Sequence, residues 1–220
     1  MTHLDEELKQ LKSEMTSMWN LVILQLKKTQ EALITLDKDL AREVIANEKR
    51  VNGMELKIDR DCENIFALFN PVAIDLRFVL SVLKTNNNLE RTGDIAEGIA
   101  KFIINANHSF DEKLLSQTET LVMFEEATDM LQDVLTAFTN EDTKLARRIF
   151  QRDEMLDEIN IKANSVVADY IRKNPDNLEQ GLYILSTIRK LERVGDQCKN
   201  ISEEIFFYVE AKVLKHKADK

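Results

Sequence analysis

The sequence predicts an all-α protein built from two tandem three-helix bundles. Three observations lead there. Only five Gly and two Pro interrupt 220 residues, 44% of the chain is apolar and aromatics are 6%, a composition that favours helices over sheets. Apolar residues recur at spacings of three and four, as in Val82, Leu89, Gly93, Ala96 and Ile103, and again in Ile184, Ile188, Leu191, Gly195, Cys198 and Ile205. The second half of the chain also repeats the first.

Six long helices are expected. The first runs from about Leu4 to Leu36. Asp37 or Asp39 caps a second that reaches about Phe69. Asn70-Pro71 ends it, because proline disfavours a helical residue before itself. The third runs from about Pro71 to Ala106 and is followed by a turn over Asn107-His108-Ser109-Phe110-Asp111. A fourth runs from about Lys113 to Phe138, and Asn140 is positioned to cap a fifth reaching Lys173. Asn174-Pro175 breaks the chain again, and the sixth runs from about Asp176 to Leu214. The tail, Lys215 to Lys220, is expected to fray.

The repeat gives these helices their grouping. Asp37, Leu40, Ala41 and Arg42 match Asp142, Leu145, Ala146 and Arg147. Asn70-Pro71 matches Asn174-Pro175, and Leu76, Leu80, Leu83, Thr85, Leu89, Ile99 and Ile103 match Leu178, Leu182, Leu185, Thr187, Leu191, Ile201 and Ile205. The offset drifts from 105 to 102. A period of about 100 residues marks a domain duplication rather than a solenoid. The expected units are residues 1–108 and 109–220, each an antiparallel bundle with short connections.

Composition narrows the function. A net charge of −9 argues against nucleic-acid binding, which normally needs a basic face. No apolar run is long enough to span a membrane, and the acidic N-terminus has no signal-peptide core. Cys62 and Cys198 stand alone and fit buried thiols in a reducing, cytoplasmic setting.

One signature occurs twice, 102 residues apart: Leu89-Glu90-Arg91-Thr92-Gly93-Asp94 and Leu191-Glu192-Arg193-Val194-Gly195-Asp196. Each copy places two acids at i and i+4, which repel, and a glycine mid-helix, which costs about 1 kcal/mol against Ala. The two prolines serve as rulers along the antiparallel helices. Counting equal distances either side of Pro71 sets Glu48 and Asn52 opposite Glu90 and Asp94. Counting from Pro175 sets Asp153 and Asp157 opposite Glu192 and Asp196. All lie roughly 26–35 Å from their hairpins at a rise of about 1.5 Å per residue.

Two readings of these clusters follow from the spacing. All-oxygen sets spread over two helices hold metals in bundles and suit Mg, Ca or Mn, with carboxylate-bound iron also compatible. Alternatively, Arg91–Asp94 and Arg193–Asp196 are plain i,i+3 ion pairs. Asn52 faces the first set where Asp157 faces the second, so the first is expected to be the less anionic. Asn86-Asn87-Asn88 reads as a solvated helical stretch.

At these residues the chain closely resembles the PhoU family of bacterial phosphate-uptake regulators. The resemblance spans nearly the whole length and rests on Asn70-Pro71-Val72-Ala73-Ile74-Asp75-Leu76-Arg77, both E-x-x-x-D motifs, and Asn200-Ile201. It implies two PhoU-type bundles and a cytoplasmic, often dimeric regulator rather than an enzyme. Such proteins repress the phosphate-starvation response. They are thought to link PstB, the ATPase subunit of the phosphate ABC transporter, to the sensor kinase PhoR. The resemblance also implies metal ions at the motifs, as iron or zinc clusters or as magnesium or manganese. Carried onto this sequence, the ligands are Glu90, Asp94, Glu192 and Asp196, then Glu48, Asp153 and Asp157, with Asn52 and Asn200 following. Gln197-Cys198 stands where relatives more commonly have His-Ala, which removes a possible His ligand.

Two rivals remain. A carboxylate-bridged metal enzyme such as a di-iron oxidase would use Glu-x-x-His pairs, which are absent near the motifs. A purely structural bundle would use the acids only in salt bridges.

Overall fold

Residues 2–214 are described by the computed structural model, and the expected Lys215–Lys220 tail lies outside them. Helix α1 (His3–Thr35) opens on a capping box, in which Thr2 and Asp5 satisfy each other's backbone N–H groups. Helix α2 (Lys38–Phe69) is capped by Asp37, not Asp39: the Asp37 carboxylate accepts from the Asp39 and Leu40 amides at 2.9 Å each. It ends at Asn70 in the left-handed region, a conformation Asn tolerates. Helix α3 covers Ala73–Asn105.

The expected fourth helix is two helices. The first, α4 (Glu112–Gln117), is capped by Asp111, and α5 follows as Thr120–Asn140. Between them the backbone reverses through Glu119 at φ 53°. The cause lies in two buried threonines. The Thr118 hydroxyl donates to the Leu114 carbonyl at 2.7 Å and shares a 2.7 Å hydrogen bond with the Thr120 hydroxyl. Side-chain hydroxyls that bond locally offer the backbone an alternative to the helical ladder.

Helix α6 spans Thr143–Lys173. Its cap is Asp142 rather than Asn140, since the Asp142 carboxylate accepts from the Lys144 and Leu145 amides. A 3-10 turn over Pro175–Asn177 leads into α7 (Leu178–Glu210), which stops short of the expected Leu214.

Helices α1, α2 and α3 pack on one another, as do α5, α6 and α7. The halves join through α3 against α7 and α1 against α5. Helices α3 and α7 run antiparallel: Arg77 Nε donates to the Tyr208 carbonyl, and Ser81 Oγ to the Glu204 carbonyl, both at 3.1 Å. A single apolar cluster runs through both halves. Trp19 is fully buried and donates from Nε1 to the Leu131 carbonyl at 3.1 Å. Phe78 stacks on Phe138, Trp19 meets Phe138 at a tilt, and Phe78 also meets Tyr208. Cys62 and Cys198 are buried free thiols, as expected.

Candidate metal-binding clusters

The motif glycines set the geometry. Both sit on the apolar seams of their helices, where the absence of a side chain lets a carboxylate from the neighbouring helix lie against the backbone. A Cβ at Gly93 would come 2.8 Å from Glu48 Oε2 and 3.3 Å from Val51 Cγ1. A Cβ at Gly195 would come 2.7 Å from both Asp153 Oδ1 and Leu156 Cδ1. The proline rulers thus find the right partners: α2 brings Glu48 to the first motif, and α6 brings Asp153 to the second.

Glu48 is 4% exposed. Gln25 of α1 donates to its Oε2 at 3.2 Å, while Oε1 has no hydrogen-bond partner. Burial pushes the Glu48 carboxyl up to about 7; the Gln25 bond opposes this, and the nearby charges of Asp94, Glu97 and Glu90 add to it. Glu90 is half-buried, and its pKa is raised by burial and then by Asp94 and Glu55. Asp94 is exposed at the edge of the cluster. Asn52 is also exposed. The charge that Glu90 feels from α2 comes from Glu55, a residue the i,i+4 spacing passed over.

The second cluster contains a cation of its own. Asp153 is 4% exposed, with Oδ1 unpartnered. Its Oδ2 accepts from Lys199, whose ammonium also lies 3.1 Å from Asp196 Oδ1. Burial raises the Asp153 pKa against the pull of Lys199. Glu192 is raised by burial and by Asp196, Asp157 and Asp153, and Lys199 again opposes. Burial works against the Lys199 charge, but its bonds to Asp153 and Asp196 prevail and raise its pKa.

Position 199 corresponds to position 97 at the 102-residue offset, and position 97 is Glu. This reverses the expected order of the two clusters. The comparison of Asn52 with Asp157 made the first less anionic, yet Glu97 replaces the lysine there and pairs outward with Lys101 at 2.6 Å. The unneutralised acids belong to the first half.

Neither Arg91–Asp94 nor Arg193–Asp196 forms an ion pair among the described residues, so the simple charge-pair reading fails as written. Nor, among the described residues, do three or more His, Cys, Asp or Glu side chains form a group disposed to hold a metal ion. Asn200 lies along a groove between α3 and α7 with Lys84, Asn87, Asn88, Arg91 and Glu204. The expected solvated asparagine stretch is largely structural. Asn86 is buried and donates to the Glu55 carbonyl and to Asp59, and Asn88 donates to the Lys84 carbonyl.

The comparisons with known proteins bear on the same residues. The PhoU domain model matches twice, at 15–103 and 120–205, so each copy contains one motif. The chain belongs to the PhoU family. It is 35% identical over 210 residues to the phosphate-specific transport system accessory protein PhoU of Edwardsiella tarda, covering 96% of this chain and 86% of that protein. The Escherichia coli PhoU of the same description is 34% identical with the same coverage. PhoU homolog 1 of Thermotoga maritima is 32% identical, covering 97% and 91%. Among solved structures, PhoU from Pseudomonas aeruginosa superposes with a TM-score of 0.91 at 30% identity, covering 96% of this chain and all of that one. The fold is thus the PhoU fold in both halves, and the duplication read from the sequence is the family's own.

Proposed function

We propose that this chain is a regulatory accessory protein of phosphate-specific transport that represses the phosphate-starvation response when phosphate is plentiful. In this reading it works in the cytoplasm as a homodimer, between the transporter ATPase subunit PstB and the sensor kinase PhoR. The observation that carries it is the match of both halves to PhoU domains, with full-length relatives named as accessory proteins of that transport system. No helix of the described residues is long and apolar enough to cross a membrane, in keeping with a protein that reaches the transporter through its partners.

Within this function, the first cluster is the proposed cation site. Its donors are all carboxylate oxygens, and the buried Glu48 offers one with no partner. These carboxylates do not converge on one point in the structure; drawn together, Glu48, Glu90 and Asp94 would hold a hard divalent ion, magnesium or manganese before iron or zinc, since no thiolate or imidazole contributes. The ion would supply positive charge between α2 and α3, where no cation forms an ion pair with Glu48, Glu90 or Asp94 among the described residues and Arg91 only partly offsets the charge on Glu90. In the second half Lys199 already meets Asp153 and Asp196, which favours a structural role for Glu192, Asp196, Asp153 and Asp157.

Two experiments test these statements. A deletion strain should express phosphate-starvation genes in high phosphate and regain repression with the intact gene; normal repression without the gene defeats the regulatory reading. Protein purified without chelator should carry metal that Glu90→Ala/Asp94→Ala loses and Glu192→Ala/Asp196→Ala keeps. Equal metal content in all three defeats the cation site.

A further inference from the structure

The arginines of the two motifs, 102 residues apart in sequence, line one groove. It runs between α3 and α7 and is lined by Arg91, Asp94, Glu97 and Lys101 from one side and Lys190 and Arg193 from the other. The antiparallel packing of α3 on α7 makes this meeting possible, since it sets the middle of one motif helix beside the middle of the other.

Four cations therefore share a short stretch of surface. Lys101 is taken by Glu97 at 2.6 Å. Arg91, Arg193 and Lys190 have no ion pair or hydrogen bond among the described residues. Lys190 is half-buried, and its ammonium lies 5.9 Å from the centre of the Phe102 ring. Gly98 makes the space: a Cβ there would come 2.5 Å from Lys190 Nζ.

We propose that this groove binds inorganic phosphate, with Arg91 and Arg193 approaching from opposite halves and Lys190 adding a third cation further along the groove, beside Gly98. Guanidinium groups present paired N–H donors that match the oxygens of a tetrahedral anion, and lysine adds a compact charge. The two acids in the wall select among such anions. An ionised carboxylate only accepts hydrogen bonds. Inorganic phosphate at neutral pH keeps a P–OH to donate to Asp94. Sulfate has no such proton, and a phosphate monoester, with its second pKa near 6, has largely lost its own. The same acids disfavour long polyanions. The groove shares Asp94 with the proposed cation site, but the anion reading needs no metal.

Calorimetric titration with sodium phosphate at pH 7, in chelator and at constant ionic strength, tests it. Saturable binding is expected, about tenfold or more weaker in Arg91→Gln/Arg193→Gln, and at least several-fold weaker for sulfate and phosphoserine. Gly98→Ala, which displaces only the end of Lys190, should weaken binding without lowering the melting temperature. Lys27→Gln/Lys49→Gln removes equal charge elsewhere and should leave binding unchanged. No saturable binding up to about 10 mM, or equal binding by the arginine double variant, overturns the proposal. Sulfate or phosphoserine binding as tightly as phosphate overturns the assignment of inorganic phosphate.

Discussion

Glu48 concentrates the chemistry of the first half in one side chain. A buried carboxyl keeps its proton further into the neutral range than an unfolded one does. In the folded chain the Glu48 carboxyl titrates at about 7 against an ordinary 4.5. Between those values the folded state holds a proton that the unfolded state has released, so stability is greatest below about 4.5 and falls as pH rises through 7. In chelator, the urea midpoint should drop between pH 5 and pH 8. Glu48→Gln should flatten that drop by on the order of 2–3 kcal/mol; an unchanged slope would mean the carboxyl is solvated. A bound divalent ion would oppose the effect, so manganese should raise the melting temperature more at pH 8 than at pH 5. The pairing of Glu48 with the first motif was legible in the sequence, because proline positions and helical rise fix relative heights. Burial was not, nor was the reach of Lys199 across to Asp153 on α6, since neither follows from spacing along a single helix; the i,i+3 pairing of Lys199 with Asp196 does follow from it.

At the scale of elements, helix caps and breaks decide where chemistry can sit. Asn70-Pro71 and Asn174-Pro175 are unambiguous punctuation, and both hairpins fall there. The break between α4 and α5 is not punctuated by Gly or Pro, and the sequence reads through it as one helix. What divides α4 from α5 is the buried Thr118–Thr120 hydroxyl pair, a local side-chain bond that no Gly or Pro announces, with Glu119 between them in a left-handed conformation. That conformation costs a non-glycine residue about 1 kcal/mol. Glu119→Gly should therefore raise the unfolding free energy by up to about 1 kcal/mol, read as a higher denaturant midpoint with an unchanged slope. Destabilisation would show that the Glu119 side chain contributes more than its backbone loses. The motif glycines act in the opposite sense. Gly195→Ala gains helix propensity but sets a methyl within 2.7 Å of Asp153 and Leu156. It should lower stability by about 1–3 kcal/mol, measured by the same denaturation curves.

The whole molecule is a duplication that no longer divides cleanly. Matching residues made two bundles legible, but their union was not, because the interface uses the same apolar seams that would serve as single-bundle cores. Trp19, Phe78, Phe138 and Tyr208 cross the join, and α3 lies along α7 for much of its length. One cooperative transition is expected in calorimetry of the full chain, with the calorimetric and van't Hoff enthalpies equal. A fragment of residues 1–108 should expose its α1 and α3 faces and either aggregate or show a strongly reduced melting temperature. A fragment that melts like the full chain would show the halves to be independent.

Trp19 is the only tryptophan in the chain, and it sits at this join with its indole N–H spoken for by the Leu131 carbonyl. The protein therefore carries one indole that can be excited apart from its three tyrosines, placed where its two halves meet. Its emission should be blue-shifted and shielded from iodide while the halves stay docked. Parting them, even with every helix intact, would shift it to the red. Light from a single side chain thus separates loosening of the join from melting of the helices, which circular dichroism alone would follow.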